Sequence, residues 1–486
     1  MSEIAQIITI LWIFFIGYVG LRAFGKPTTT LLFSKENKRE FDQLVASNLG
    51  NWLAGTNIFG TLTSFATVLV FFLGNAKVFG LWTLFCCISI WLGSFSTNYF
   101  TKRILALPRA SLLLESENQT GGILASLCWS DSQQGRKTAA LIKYMSMLSI
   151  FAVIWLEFSL FADIGGDILG LTNVWTKAVM LAISSFAVIF FVLRYGIRGF
   201  VFADILQAPI ITLSIILIVG GALWLAKDTS IAFSIDFVQP TADTKTILLF
   251  ILHVTLLNTF LVLATEPHWL RLWAFKQKEI RTQTISTGAT AIIWTALIGT
   301  GLIASATTNS HETAGTSVII SLVQHLSVLS PSFVVAFWFA AVAALFTTAD
   351  IQIYSWLIVN NFKPATGVLH EQKLGEIKPT IYAATSSVLF AILYTFVREN
   401  SILFEKLIFL IIPFSLNSLP AIAQLVRGQK PTPMPVVIGT TLFIIFGTIG
   451  LFQPQSDLFW TLFAVLAPIT TATAIFMRKS EKCIQH

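Results

Sequence analysis

Charge is scarce in this chain. Only 11% of its 486 residues are Asp, Glu, Lys or Arg, against about 25% in soluble globular proteins. So little charge excludes a water-facing surface over most of the molecule. Long polar stretches are also missing. The longest, about residues 101–138, is too short to build a sizeable core, so no separate soluble domain is expected. Cysteine is rare: Cys86, Cys87, Cys128 and Cys483 show no metal-ligand or disulfide spacing and read as packing residues. No Lys or Arg precedes the apolar run at 4–21, and Glu3 does. That argues for a retained span and against a cleaved signal peptide.

What the chain has instead is apolar surface. Hydrophobic residues make up 55%, including 42 Phe and 14 Trp, and Trp favours membrane interfaces. The formal net charge of +7 is spread over short segments between apolar runs. That placement sets topology and argues against nucleic acid as a partner.

A span needs roughly 20 apolar residues. Thirteen candidates meet this, at about 4–22, 46–73, 78–100, 141–164, 173–193, 199–226, 245–266, 284–306, 332–362, 379–397, 401–426, 434–452 and 458–477. The chain is expected to be all-α and polytopic. With the N-terminus outside and alternation along the chain, 24 Lys and Arg fall inside and six outside, with Lys143 within a span. The positive-inside rule then puts the C-terminus in the cytoplasm, with the protein in an inner or plasma membrane.

Three spans carry polar or glycine interruptions, which lipid-facing helices do not need. In the second, Gly50, Gly55 and Gly60 recur every five residues, with Thr56 and Asn57 beside the middle one. Glycine weakens a helix by about 1 kcal/mol, so 55–58 is a candidate break whose freed carbonyls can bind Na⁺. Close packing through small residues is the equal alternative. The ninth span holds Thr347, Thr348 and Asp350, hard oxygen ligands suited to a hard cation. The competing reading is that the hydroxyls bond back to carbonyls one turn earlier. The sixth span carries Asp204 inside Gly199, facing a cytoplasmic vestibule or pairing with Arg198. Glu157, the deepest carboxylate, and Asp163 lie in the fourth span. His253 and Asn258 lie in the seventh, where His253 reads as a core histidine. Glu266, Pro267 and His268 mark a further break.

Three of these stretches together resemble the solute:sodium symporter family, over residues 46–426. They are Tyr195 to Gln207 with Gly199, Asp204 and Gln207; Ala343 to Asp350; and Glu266 to Arg271 followed by Leu272 to Lys276. Members of that family carry sugars, proline, pantothenate, sialic acids and similar solutes. The resemblance implies a LeuT-like core of two inverted five-helix repeats, at 46–226 and 227–426. A leading helix and loop (1–45) and two trailing helices with a short tail (427–486) would flank it.

The resemblance also implies a site. Its sodium ligands fall on the carbonyls of Gly55, Ile58 and Ala344 and the hydroxyls of Thr347 and Thr348, making Na⁺ the coupling ion. Asp204 and Asp350 would form a second cation or proton site, although Ile351 stands where the family has a hydroxyl. Asn57, Thr61, Thr265 and Glu266 take the solute positions. Thr61, Leu62, Thr265 and Glu266 depart from the sugar carriers, which favours an amino acid, an organic cation or a carboxylate. The resemblance further implies a functional monomer.

The expected activity is Na⁺-coupled symport of a small polar solute by alternating access. Proton coupling on the same fold and a solute sensor are the alternatives. About eight residues follow the last span, so no fused kinase is expected. No nucleophile–base pair or metal cluster has usable spacing, so no enzyme is expected.

Overall fold

The computed structural model describes residues 3–24, 42–43, 45–47, 49–65, 71–107, 124–228, 240–307, 315–369, 379–399, 410–452 and 458–477. Helices dominate them. In chain order they are α1 (Glu3–Phe24), α2 (Leu49–Leu62), α3 (Leu73–Phe79) and α4 (Leu84–Leu105); α5 (Leu124–Cys128), α6 (Gln133–Ile168), α7 (Val174–Asp228) and α8 (Thr244–Ala264); α9 (Glu266–Phe275), α10 (Gln277–Thr307), α11 (Gly315–Leu329) and α12 (Pro331–Asn361); and α13 (Pro379–Glu399), α14 (Leu419–Val426), α15 (Pro433–Phe452) and α16 (Leu458–Met477). Short 3₁₀ segments join α3 to α4 and precede α14 (Ile412–Ser418). One two-residue antiparallel ladder, Phe362–Lys363 with Val368–Leu369, follows α12.

Ten helical segments among the described residues are long and apolar enough to cross a bilayer. The chain is an integral membrane protein with an all-α fold. The expected thirteen uniform spans become something less regular. The second span is split: α2 has 14 residues, about 21 Å at 1.5 Å per residue, too short to cross a core of about 30 Å. The eleventh is split likewise, into a 3₁₀ segment and α14. The fifth and sixth run as one unbroken helical assignment, α7, with two apolar windows at Val174–Tyr195 and Ala203–Lys227. The helix α11 had no counterpart in the expected spans. Its short apolar face spans Val318–Leu329.

Sequence explains the helix ends. Asp243 caps α8 by accepting from the Thr246 N–H at 2.7 Å, and Ser132 caps α6 by accepting from the Gly135 N–H at 3.1 Å. Pro331 opens α12, where its missing N–H costs nothing. Close packing needs small residues at crossings. A Cβ on Gly93 of α4 would sit 2.2 Å from the Asn258 carbonyl oxygen of α8, so only glycine fits there.

The core is built around α12, which packs against α6 and α7, while α2 packs against α10 and α8 against α4. From Ala340 to Ser355 every residue of α12 is buried. A helix buried on all sides that still carries Thr347, Thr348 and Asp350 is part of an interior site, since lipid-facing helices avoid such groups.

Candidate functional site

Two helix breaks face the centre of the bundle. The first follows Leu62, where Thr63 and Ser64 leave the helix. Their side chains and neighbours compete for the backbone: the Thr63 hydroxyl donates to the Phe59 carbonyl at 2.5 Å. The Thr63 N–H donates to Gly60 O at 3.0 Å. The indole N–H of Trp294, on α10, donates to the freed Leu62 carbonyl at 3.2 Å. Thr and Ser bonding to nearby backbone is a known way to loosen a helix.

This corrects the expected break at 55–58. The helix is continuous through Gly55 and Ile58, so their carbonyls stay within its ladder. Gly55 serves packing instead: a Cβ there would meet Ser286 Oγ of α10 at 3.0 Å. Five-residue glycine spacing was the misleading signal.

The second break lies where the sequence placed it. Thr265 is extended (φ −97°, ψ 138°) between α8 and α9, and Pro267 sits in the first turn of α9. Freed carbonyls again find donors. Trp269 Nε1 donates to Leu263 O at 3.0 Å, and Ser418 Oγ donates to Ala264 O at 3.1 Å.

Beside the first break lies a cluster of oxygens. The Thr347 hydroxyl is 3.2 Å from Gly60 O and 3.1 Å from Ala344 O. Thr348 Oγ1 is buried and has no hydrogen-bond partner among the described residues. The back-bonding alternative thus holds in part for Thr347 and fails for Thr348. The α2 carbonyl that meets Thr347 belongs to Gly60, five residues beyond Gly55.

Asp204, on α7, joins the same cluster. Its Oδ2 accepts from Asn57 Nδ2, and its Oδ1 is buried with no partner among the described residues. A Cβ on Gly60 would sit 3.2 Å from Asp204 Oδ1 and 3.0 Å from Thr347 Cβ, so these groups converge on one point of α2. Asp350 Oδ1 accepts from the Ile351 N–H at 2.5 Å, and the two carboxylates act on each other electrostatically. The side chain of Arg198 lies outside the described residues, so its pairing with Asp204 does not enter.

A cavity of about 160 Å³ opens between the two breaks. A water needs about 10–15 Å³ on this measure, so the cavity has room for a compact solute. Thr61, Thr265 and Glu266 line it, as expected, and so does Thr348. Asn57 does not. It is fully buried and its amide is committed to Asp204, so it belongs with the oxygen cluster and not with the cavity wall. Glu266 is anchored by the Leu124 N–H at 3.0 Å and the Ser146 hydroxyl at 2.8 Å. His253 and Glu157 also reach the cavity wall.

Sequence reasoning missed a buried network behind Thr61. Arg271 Nη1 donates to Thr61 Oγ1 at 3.0 Å, and Arg271 Nε donates to Glu279 Oε1 at 2.9 Å. His268 Nδ1 lies 3.6 Å from the same Glu279 oxygen, and His268 Nε2 is 3.0 Å from Thr101 Oγ1. In the sequence Arg271 counts among the cytoplasmic charges and in the stretch Glu266 to Arg271, and Glu279 is not singled out. Their separation of eight residues around a turn at Lys276 (φ 53°) was the available clue. Asp163, by contrast, is matched by Lys177 at 3.4 Å and by Arg398. It ties α6, α7 and α13 together. Among the described residues no group of three or more His, Cys, Asp and Glu is placed to hold a metal.

No family model and no curated protein matches this chain. Solved structures do. A Na⁺-coupled sialic acid symporter, in a substrate-bound outward-open state, aligns over 96% of this chain and 97% of its own with a TM-score of 0.64 at 13% identity. A nucleobase-cation-symport-1 family transporter aligns over 87% and 92%, with a TM-score of 0.43 at 12% identity. MhsT, solved in complex with L-phenylalanine, aligns over 89% and 98%, with a TM-score of 0.44 at 14% identity. The fold is that of LeuT-like transporters. At such identities the likeness speaks for the fold alone.

Proposed function

We propose that this protein is a cation-coupled symporter that moves a small polar solute by alternating access, with Na⁺ as the coupling ion. The observation that carries the reading is the meeting of α12 with the end of α2. The Thr347 hydroxyl donates to the Gly60 carbonyl where the helix gives way, and the next residue, Thr348, keeps a buried hydroxyl without a partner among the described residues. Hard oxygens at a broken helix beside a cavity are the arrangement expected of a Na⁺ site. Gly60 O, Ala344 O and the two hydroxyls would hold the ion, and Thr61, Thr265 and Glu266 would face the solute. Gly55 and Ile58 are withdrawn as ligands.

Na⁺ would order the first break against α12 and so complete the cavity wall at Thr61. Solute should tighten Na⁺ by the same factor as Na⁺ tightens solute. One charge moving inward gains about 2.3 kcal/mol per 100 mV, enough to drive roughly fiftyfold accumulation. The inverted repeats would span 46–226 and 227–426, the N-terminus would lie outside, and a monomer would suffice.

The test is thermal stability in NaCl against equimolar KCl. A ligand of the folded state stabilises by RT ln(1 + [L]/Kd), about 2.7 kcal/mol at 100 Kd. Wild type should be stabilised by Na⁺, and the double variant Thr347→Ala with Thr348→Ala should not. Uptake into proteoliposomes that ignored both Na⁺ and voltage would refute the reading.

A second reading is proton coupling through Asp204 and Asp350. It is favoured by one observation, the buried and unpartnered Oδ1 of Asp204 beside a second carboxylate. Uptake driven by a pH gradient with Na⁺ removed, and lost in Asp204→Asn, would select it.

A further inference from the structure

The buried charges around the cavity do not balance. Asp204, Glu266, Glu279 and Asp350 are each at most 3% exposed, as is Arg271 at 2%. The guanidinium of Arg271 is spoken for: its Nε lies 2.9 Å from Glu279, and its Nη1 holds Thr61. Asp204 and Asp350 share the cation cluster. Two carboxylates lie on the cavity wall itself, Glu157 and Glu266, and the two oxygens of Glu266 accept from the Leu124 N–H and the Ser146 hydroxyl. Both donors are neutral.

A buried carboxylate is stable only when matched by a cation or neutralised by a proton. Glu266 faces the cavity, so a cation that matches it enters through the cavity. The rest of the wall suits a positive charge. Phe71, Phe72, Trp294 and Phe414 line the same space, and Phe72 and Trp294 sit with ring centroids 4.7 Å apart. Aromatic faces attract cations, most strongly when water is excluded. Thr348 Oγ1, buried without a partner among the described residues, offers an acceptor on the same wall. An anionic solute would need a cation of its own, and the cavity's guanidinium is already engaged by Glu279.

We infer that the solute is a compact organic cation, its positively charged nitrogen lying against Glu266 and the aromatic wall. This rests on the transport reading above. The nitrogen would replace its hydration shell with one carboxylate and ring faces. The neutral anchors on Glu266 fix the carboxylate in place without quenching its charge.

The experiment uses the purified full chain at constant NaCl and reads thermal stability against added probe. The probes are tetramethylammonium, choline, the neutral choline isostere 3,3-dimethyl-1-butanol, lactate and glucose. Ammonium probes should stabilise the protein, with choline at least tenfold tighter than its uncharged isostere. Glu266→Gln, which keeps an oxygen for the Leu124 N–H, should cut that preference at least tenfold while the response to NaCl over KCl survives. Equal binding of choline and its isostere would overturn the inference. So would a response to lactate or glucose alone, or none to either ammonium probe. If Glu266→Gln does not fold, the isostere comparison on the wild type decides by itself. Failure of the transport reading shows separately, as loss of the NaCl response in the wild type.

Discussion

The two breaks that frame the cavity are built differently. The second, at Thr265, has Pro267 just behind it; the first, after Leu62, has no proline among the described residues near it. Both leave carbonyls without helical partners, and both recruit an indole to one of them: Trp294 to Leu62 and Trp269 to Leu263. They differ in where the donor comes from. Trp269 belongs to the half-helix just past its own break, so its bond is local, although Ser418 reaches the neighbouring Ala264 carbonyl from 154 residues away. Trp294 lies 232 residues away on α10, so the first break is held open by another part of the fold. A carbonyl held by its own half-helix stays held when other helices move. One supported at a distance responds when the distant element moves, as a coupling-ion site in alternating access requires.

Arg271 is the member that joins the two. It sits six residues past Thr265 and bonds Thr61 at the end of α2, with Glu279 as its counter-charge. Removing one partner of a buried pair costs about 3–5 kcal/mol, because the other is left buried and uncompensated. Arg271→Met should therefore lower stability by that amount, measured as thermal or denaturant unfolding in detergent. The double variant Arg271→Met with Glu279→Gln should recover most of the loss. Equal loss in both would show that the latch onto Thr61, and not the charge balance, is what matters.

The register of the first break can be tested at two glycines. A methyl on Gly60 would press on Thr347 Cβ at 3.0 Å and Asp204 Oδ1 at 3.2 Å, where several groups must shift together. A methyl on Gly55 meets only the tip of Ser286, which can rotate away. Gly60→Ala should weaken the Na⁺-dependent stabilisation at least tenfold, about 1.4 kcal/mol, and Gly55→Ala should change it less than twofold. The reverse order would restore the site to 55–58.

That pair also shows what the sequence could and could not say. Apolar runs located nearly every span, because a bilayer tests each segment for length and hydropathy on its own. Thr347, Thr348, Asp350 and Asp204 stood out because polar groups are costly in an apolar helix, and the fold brings two of them, Thr347 and Asp204, to Gly60. The break after Leu62 was not legible. Thr61, Thr63 and Ser64 are unremarkable until Trp294 and Thr347 arrive from other helices, whereas three evenly spaced glycines are conspicuous and turned out to serve packing. Arg271 and Glu279 were hidden for the same reason. Arg271 counted as a topology signal and Glu279 carried none, and only the fold brings them together behind Thr61.

The smallest expected effect concerns the residue that made the second break easy to find. Pro267 lacks an N–H and marks where α9 begins, but it is not what holds the chain open there. The two freed carbonyls are satisfied by Trp269 and Ser418, and neither bond involves the proline. Replacing it by alanine at a compatible backbone mainly restores freedom to the unfolded chain, worth about 0.4–1 kcal/mol. Pro267→Ala should therefore cost no more than that in stability and leave the Na⁺ response and solute binding within twofold of wild type. A larger loss of solute binding would mean that α9 grows backward through Thr265 once the proline is gone. The second break would then depend on its own sequence as strongly as the first depends on its neighbours.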